Sequence, residues 1–135
     1  MNPLAWPPGV YVLYIFALFL ALMAVRVRAV RRRQVPMAYF STYSGTPPPE
    51  WMVVLGRHYD NQFQVPLLFL ASCALLGPSS GHDMPTVALA WAFVAARLLH
   101  SVVHLRGNVV VRRLQAYALG WILLIAMWVR QLFLG

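Results

Sequence analysis

Between Val10 and Val25 the chain reads VYVLYIFALFLALMAV, a stretch without one charged side chain or amide, and Leu4, Ala5 and Trp6 extend it upstream. Such a run has no polar face to turn toward water and approaches the roughly 20 residues that a bilayer-crossing helix needs. Composition argues against burying it in a soluble domain. Of the 135 residues, 61% are hydrophobic and only 10% are charged, whereas about 25% of an ordinary soluble domain is charged. The chain is therefore expected to be an integral membrane protein. Its length accommodates four spans of about 20 residues with their connections and no separate soluble domain.

The spans are expected at about 8–26, 51–76, 85–105 and 109–134, within one domain covering 1–135. The first ends at Arg26, Arg28 and Arg31 to Arg33. Pro36, Gly45 and Pro47 to Pro49 forbid a continuous helix in the connection that follows. A tight turn without basic residues, Gly77 to Pro85, separates the second and third spans, and Arg106, Gly107 and Asn108 separate the third and fourth. Arginine-rich short loops stay in the cytoplasm, so the first and third connections are placed there and both termini outside it. A four-transmembrane-helix, all-α bundle is the expected architecture.

The 11 basic residues, all arginine, outnumber 3 acidic ones, for a net charge of +8. They flank or interrupt apolar runs and form no single solvated stripe, so nucleic acid is not an expected partner. A lone cysteine, Cys73, excludes an internal disulfide framework and reads as a small apolar side chain. No basic segment precedes the first apolar run, which is expected to remain as a membrane anchor.

Ionisable groups inside spans ask for a functional reason. On the second span, Arg57, Asn61 and Gln64 follow i, i+4, i+7 spacing, with Asp60 at the border of that face. The third span carries Arg97, His100 and His104 in one stripe, and the fourth carries Arg113, Tyr117 and Gly120. With the orientation above, all three stripes converge at the cytoplasmic end. Plainer readings exist for some of these residues. Arg106 and Arg112 fit arginines that reach phosphate headgroups, Arg57 and Asp60 fit an intramembrane ion pair, and Tyr117 and Gly120 fit helix packing. His100 and His104 have the spacing of a metal-binding pair. The acids are only Glu50, Asp60 and Asp83, none an evident third ligand, so no metal is expected, nor a haem between His58 and a third-span histidine.

Together the groups describe a receptor for a small polyanion that also offers amides. Arginine forks hold carboxylates bidentately, and asparagine satisfies a peptide unit through both its donor and its acceptor. Glutathione has two carboxylates, two amide links, an amine and a thiol. Its thiolate would be favoured by Arg113, which also lies near a helix N-terminus.

At this point the chain resembles a known family, the membrane-associated proteins in eicosanoid and glutathione metabolism (MAPEG), and specifically its bacterial-type members. RHYDNQFQVP, Arg57 to Pro66, is similar to the family's Arg-x-x-x-Asn-x-x-Glu motif, and WAFVAARLLHSVVHL, Trp91 to Leu105, is similar to its third-helix segment. The resemblance covers nearly the whole chain. It implies a homotrimer with the second helix lining the axis and glutathione held between subunits near the cytoplasmic face of a bacterial inner membrane. Arg57, Asn61, Arg97 and His100 match motif residues, Arg113 resembles the arginine that stabilises the thiolate, and Tyr117 resembles a tyrosine that helps hold the tripeptide. Two positions depart: the motif glutamate is Gln64, and a third-helix tyrosine is His104. Asp60 also stands where some members carry a second arginine.

Two functions follow. The first is a glutathione-dependent transferase or peroxidase acting on lipophilic electrophiles from the bilayer, with Arg113 as the catalytic residue. Arg57, Asn61, Gln64, Arg97, His100, His104 and Tyr117 would bind the co-substrate. The second is a non-catalytic membrane scaffold or accessory subunit of a larger complex, favoured by Gln64 and Asp60.

Overall fold

The computed structural model describes residues 2–80, 82–107 and 109–134. A 3-10 turn, Pro3–Ala5, leads into α1, Trp6–Arg31. Asn2 begins this entry by accepting from the Leu4 amide at 2.9 Å. Pro7 and Pro8 stand in the first turn of α1, where a missing N–H costs no helical bond. The helix stops where Arg33 takes a left-handed φ of 55°. One short helical turn, α2 (Tyr39–Thr42), lies in the proline-rich connection and closes on Tyr43, at φ 54°.

The second span is two helices. α3, Glu50–Asp60, gives way to a 3-10 turn, Asn61–Phe63, before α4, Val65–Ser80. Gln64 breaks the helix with φ −103° and ψ −110°. Proline at 66 explains where α4 starts, because its missing N–H is tolerated only in a first turn. The helix also runs through Gly77 and Pro78 to Ser80, where sequence reading places a turn. The Asn2 side chain donates to the Gly77 carbonyl at 3.0 Å and satisfies it there.

α5, Met84–Arg106, is capped by Asp83, whose carboxylate accepts from the Thr86 amide at 3.2 Å. α6 spans Val110–Leu134. Four helical segments, of 29, 30, 23 and 24 residues, are long and apolar enough to cross a membrane. Among the described residues there are no strands, and the fold is the expected four-helix membrane bundle.

α5 and α6 form the most extensive interhelical contact. In the core, Phe69 of α4 stacks on Phe93 of α5 with centroids 4.2 Å apart, and Tyr11 of α1 meets both edge-on at 6.2 and 6.3 Å. Leu4, Val65, Leu76, Val87, Leu124 and Met127 surround these rings. The outer faces of α1 and α6 expose Leu13, Phe16, Leu20, Leu114, Ile122 and Ile125, the apolar surface that a bilayer helix presents to lipid or to a neighbour.

This arrangement sorts the polar residues by end. Asn2, the C-terminus of α4, the N-terminus of α5 and the C-terminus of α6 share one end, tied by the Asn2–Gly77 bond and an Arg130–Asp83 ion pair at 2.8 Å. Every other arginine belongs to the opposite half, where α1 ends, α3 begins, and α5 passes to α6.

Candidate functional site

In the arginine-rich half, α1 supplies two tyrosines from its buried face. The Tyr11 hydroxyl donates to Gln62 Oε1, and the Tyr14 hydroxyl donates to Ser101 Oγ. Ser101 spends its own proton on the Arg97 carbonyl, 2.8 Å away. Tyr14 therefore has only its lone pairs to offer His58 Nε2, at 3.0 Å. The Gln62 amide nitrogen, which can only donate, lies 3.3 Å from the same His58 Nε2, so Tyr14 and Gln62 together fix the position of the ring without fixing its proton. His58 Nδ1 in turn faces His104 Nδ1 at 3.2 Å. His100 Nε2 contacts the Asn61 amide nitrogen at 3.1 Å. One ring nitrogen of each of His58, His100 and His104 lies within 4.8 Å of the others, and all three side chains are buried.

Beside this interior lies a cavity of about 530 Å³, lined by Arg57, Asp60, Asn61, Gln64, His100, His104, Val110, Arg113, Leu114 and Tyr117. The break at Gln64 does not scatter the second-span stripe, since Arg57, Asn61 and Gln64 all reach this wall. Arg57, Asp60 and Gln64 are exposed on the protomer, whereas His58 and Gln62 of the same segment are buried. The segment is thus polar on both faces, one turned into the bundle and one turned out of it.

Arg97 takes a different place from its stripe partners and is not part of the cavity wall. It is 0% exposed, its guanidinium carbon 5.8 Å from the centroid of Tyr117, which does line the cavity. Gly120 packs beside it: a Cβ there would lie in ordinary van der Waals contact with Arg97 Cδ at 3.6 Å and Phe93 Cε2 at 3.7 Å. None of the three guanidinium nitrogens has a hydrogen-bond partner among the described residues. Asn61 Oδ1 and His100 Nδ1 are likewise buried and unpartnered. Arg57 and Asp60 do not pair: the ion pair among the described residues is Arg130 with Asp83.

Sequence reasoning missed Tyr11, Tyr14, Gln62 and Ser101, and considered His58 with a third-span histidine only as a haem pair, which it set aside. The signal was present but weak. Tyr11, Tyr14, Leu18 and Leu22 follow helical spacing on one face of the first span, and His58 and Gln62 lie four apart on a stripe about 100° round the helix from Arg57 and Asn61.

The MAPEG family model matches residues 9–133. The chain belongs to the MAPEG family. No curated protein and no solved structure matches it. As a MAPEG protein it is an integral membrane protein of four apolar helices, in a family generally associated with glutathione.

Proposed function

We propose that this MAPEG protein binds glutathione in the 530 Å³ cavity and uses it to conjugate or reduce lipophilic electrophiles that enter from the bilayer. The observation that carries the reading is the convergence of Arg57, Asn61, Gln64, Arg113 and Tyr117 on one cavity from three different elements. Arg57 offers a fork for a carboxylate and Asn61 a donor and acceptor for a peptide link. Arg113, in the first turn of α6, holds the thiol as thiolate through its own charge and the helix terminus. The protein supplies position and electrostatics, and the thiolate sulfur forms the bond to the electrophile. His100 and His104 complete this wall, and Arg97 acts from behind it by supporting Tyr117.

Asp60 decides how the loss of the motif glutamate is met. Gln64 offers the glutathione ammonium only a neutral carbonyl. Asp60 shares the cavity wall and is unpaired with Arg57, so its carboxylate is free to receive the ammonium. This favours the enzyme over the scaffold reading, in which Asp60 neutralises Arg57.

The protomer's outward polar face supports self-association, with three copies by family resemblance. Arg57, Asp60 and Gln64 cannot meet hydrocarbon cheaply, and enclosure by neighbouring subunits both satisfies them and closes the cavity. We place the arginine-rich half in the cytoplasm and both termini on the other side of a bacterial inner membrane, because arginine in short connections is retained on the cytoplasmic side.

The test is calorimetric titration of the detergent-solubilised protein with glutathione. Saturable binding at millimolar or lower concentration, with ultraviolet absorbance of a bound thiolate near neutral pH, is expected. Binding without thiolate absorbance would leave recognition without activation. No binding at all would transfer the chain to the scaffold reading.

A further inference from the structure

We propose that His58, His100 and His104 form a three-histidine site for a borderline divalent transition-metal ion, with zinc as its type, whose fourth position opens toward the cavity. The spacing of His100 and His104 along α5 supplies two ligands, and the bundle supplies the third by bringing His58 from α3. Imidazole nitrogens bind zinc at about 2.0–2.1 Å, so two ligands of a tetrahedral ion stand about 3.3 Å apart. His58 Nδ1 and His104 Nδ1 are separated by 3.2 Å. One nitrogen of His100 lies within 4.8 Å of the other two ligand atoms, which leaves a movement of about 1.5 Å to reach a tetrahedral edge.

His58 is also prepared for the role. Its Nε2 is held between the Tyr14 oxygen and the Gln62 amide nitrogen, and the donors from Tyr14 to Ser101 to the Arg97 carbonyl keep that side of the ring in place while Nδ1 faces His104. A metal-binding histidine needs one nitrogen directed at the ion and the other anchored outside it, and His58 has its Nε2 anchored and its Nδ1 directed at the other histidines. His100 has a buried Nδ1 without a partner, and its Nε2 contacts Asn61.

The surrounding charge selects what accompanies the ion. Arg97 lies on the same helix, unpartnered, while Arg57 and Arg113 stand on the cavity wall with a single carboxylate, Asp60. A bare dication would be repelled by these guanidiniums, so the ion needs an anion beside it. His100 and His104 border the cavity, so the fourth ligand arrives from that side as hydroxide or thiolate. A thiol that coordinates such an ion loses its proton. The site does not depend on glutathione, because any small anion that enters the cavity completes it.

The experiment uses the untagged protein in detergent, stripped with a chelator and free of thiol, then titrated with Zn²⁺ by calorimetry and assayed for metal after gel filtration. One zinc per chain is expected. His104→Ala and His58→Ala should each abolish stoichiometric retention, and Tyr14→Phe should weaken binding about tenfold through the lost anchor of His58. His82→Ala, remote on the α4–α5 connection, should bind as the parent does. If His58→Ala does not fold, His104→Ala and Tyr14→Phe carry the comparison, each verified by far-ultraviolet circular dichroism and oligomer size. Loading with Co²⁺ should give tetrahedral d–d bands, and adding a simple alkyl thiol should add a sulfur-to-cobalt charge-transfer band. Folded parent protein without stoichiometric zinc would overturn the proposal and leave His58 and His104 as a hydrogen-bonded pair. Zinc retained by His104→Ala, or lost in His82→Ala, would overturn it equally.

Discussion

The two ends of the bundle treat buried polarity in opposite ways. At the end that carries the chain termini, Asn2 accepts within its own turn and donates to Gly77, and Trp128 donates to Ser72 at 2.8 Å. Asp83 accepts from Arg130 Nε at 2.8 Å, from Arg130 Nη2 at 2.9 Å and from Thr86. In the arginine-rich half the balance is left open. Every buried side-chain nitrogen or oxygen without a partner among the described residues belongs to Asn61, Arg97 or His100. Groups retained for stability find partners within the chain, because a buried orphan costs about 1–3 kcal/mol. Orphans concentrated around one cavity are the mark of groups kept for something that comes from outside, whether a ligand or another subunit.

The largest effect that can sharpen this contrast is expected at Arg113. Arg113→Leu should lower the rate of glutathione conjugation to an aryl halide at neutral pH by about 10²–10³-fold, the usual cost of losing one group aimed at a developing or held anion. The ultraviolet titration of the bound thiol should return toward about 8.5, the value of a free cysteine thiol. Oligomer size in detergent should not change. A loss of assembly alongside activity would mean that the first turn of α6 is a packing element, and the contrast between the ends would weaken.

Next in size is the exchange of roles between Gln64 and Asp60. Asp60→Asn should weaken glutathione binding by about 5- to 150-fold, the loss of one charge-assisted hydrogen bond in a desolvated site. Gln64→Glu in the same background should restore most of it. Calorimetry reads both. If Asp60→Asn binds as tightly as the parent, the carboxylate is not the ammonium partner and the cavity works without one.

How far these residues could be read from the chain follows the same division. Run length exposed the spans, because a bilayer imposes a length that no competing preference overrides. Helical spacing groups Arg57, Asn61 and Gln64, and all three line one cavity even though a 3-10 turn and Gln64 break the helix between them. Spacing reports the direction of a side chain and says little about depth, which is why Arg97 shares a stripe with His100 yet lies behind Tyr117. The interior network was hidden for another reason. Tyr11 and Tyr14 read as aromatic filler in an apolar run, and only the fold places their hydroxyls against Gln62 and His58.

Arg97 provides a stability test with an unusual sign. A buried guanidinium without hydrogen bonds carries a desolvation cost that the face of the Tyr117 ring, 5.8 Å away, returns only in part. Replacing it with an apolar side chain of similar reach, Arg97→Met, should stabilise the ligand-free protein by about 1–4 kcal/mol, as apolar replacement of buried charge does elsewhere. Thermal unfolding in detergent would show a raised Tm. A lowered Tm in the assembled protein would show instead that a neighbouring subunit satisfies the charge, and the orphaned state would then be a property of the isolated protomer.

The smallest effect is expected at the well-satisfied end. Arg130 and then Thr86 hold the Asp83 carboxyl well below the usual carboxylate range. A carboxylate with a lowered folded-state pKa stabilises above its unfolded value, about 3.9, and that contribution fades as pH falls through the folded value. Asp83→Asn keeps a capping oxygen for Thr86, removes the charge, and turns an NH2 toward Arg130 Nη2 so that this hydrogen bond is lost as well. At neutral pH it should lower Tm by about 2 °C, because a partly exposed ion pair is screened by solvent. The difference between parent and variant should persist to about pH 4 and shrink in stronger acid as the parent carboxylate takes up its proton. If the gap stayed constant into strong acid, charge would not be its source, and the geometry of the cap would account for it. Glutathione binding should be the same in both proteins across the neutral range, since Asp83 lies at the opposite end from the cavity. A change in binding would show that the two ends are energetically coupled through α5 and α6, the pair with the most extensive contact in the bundle.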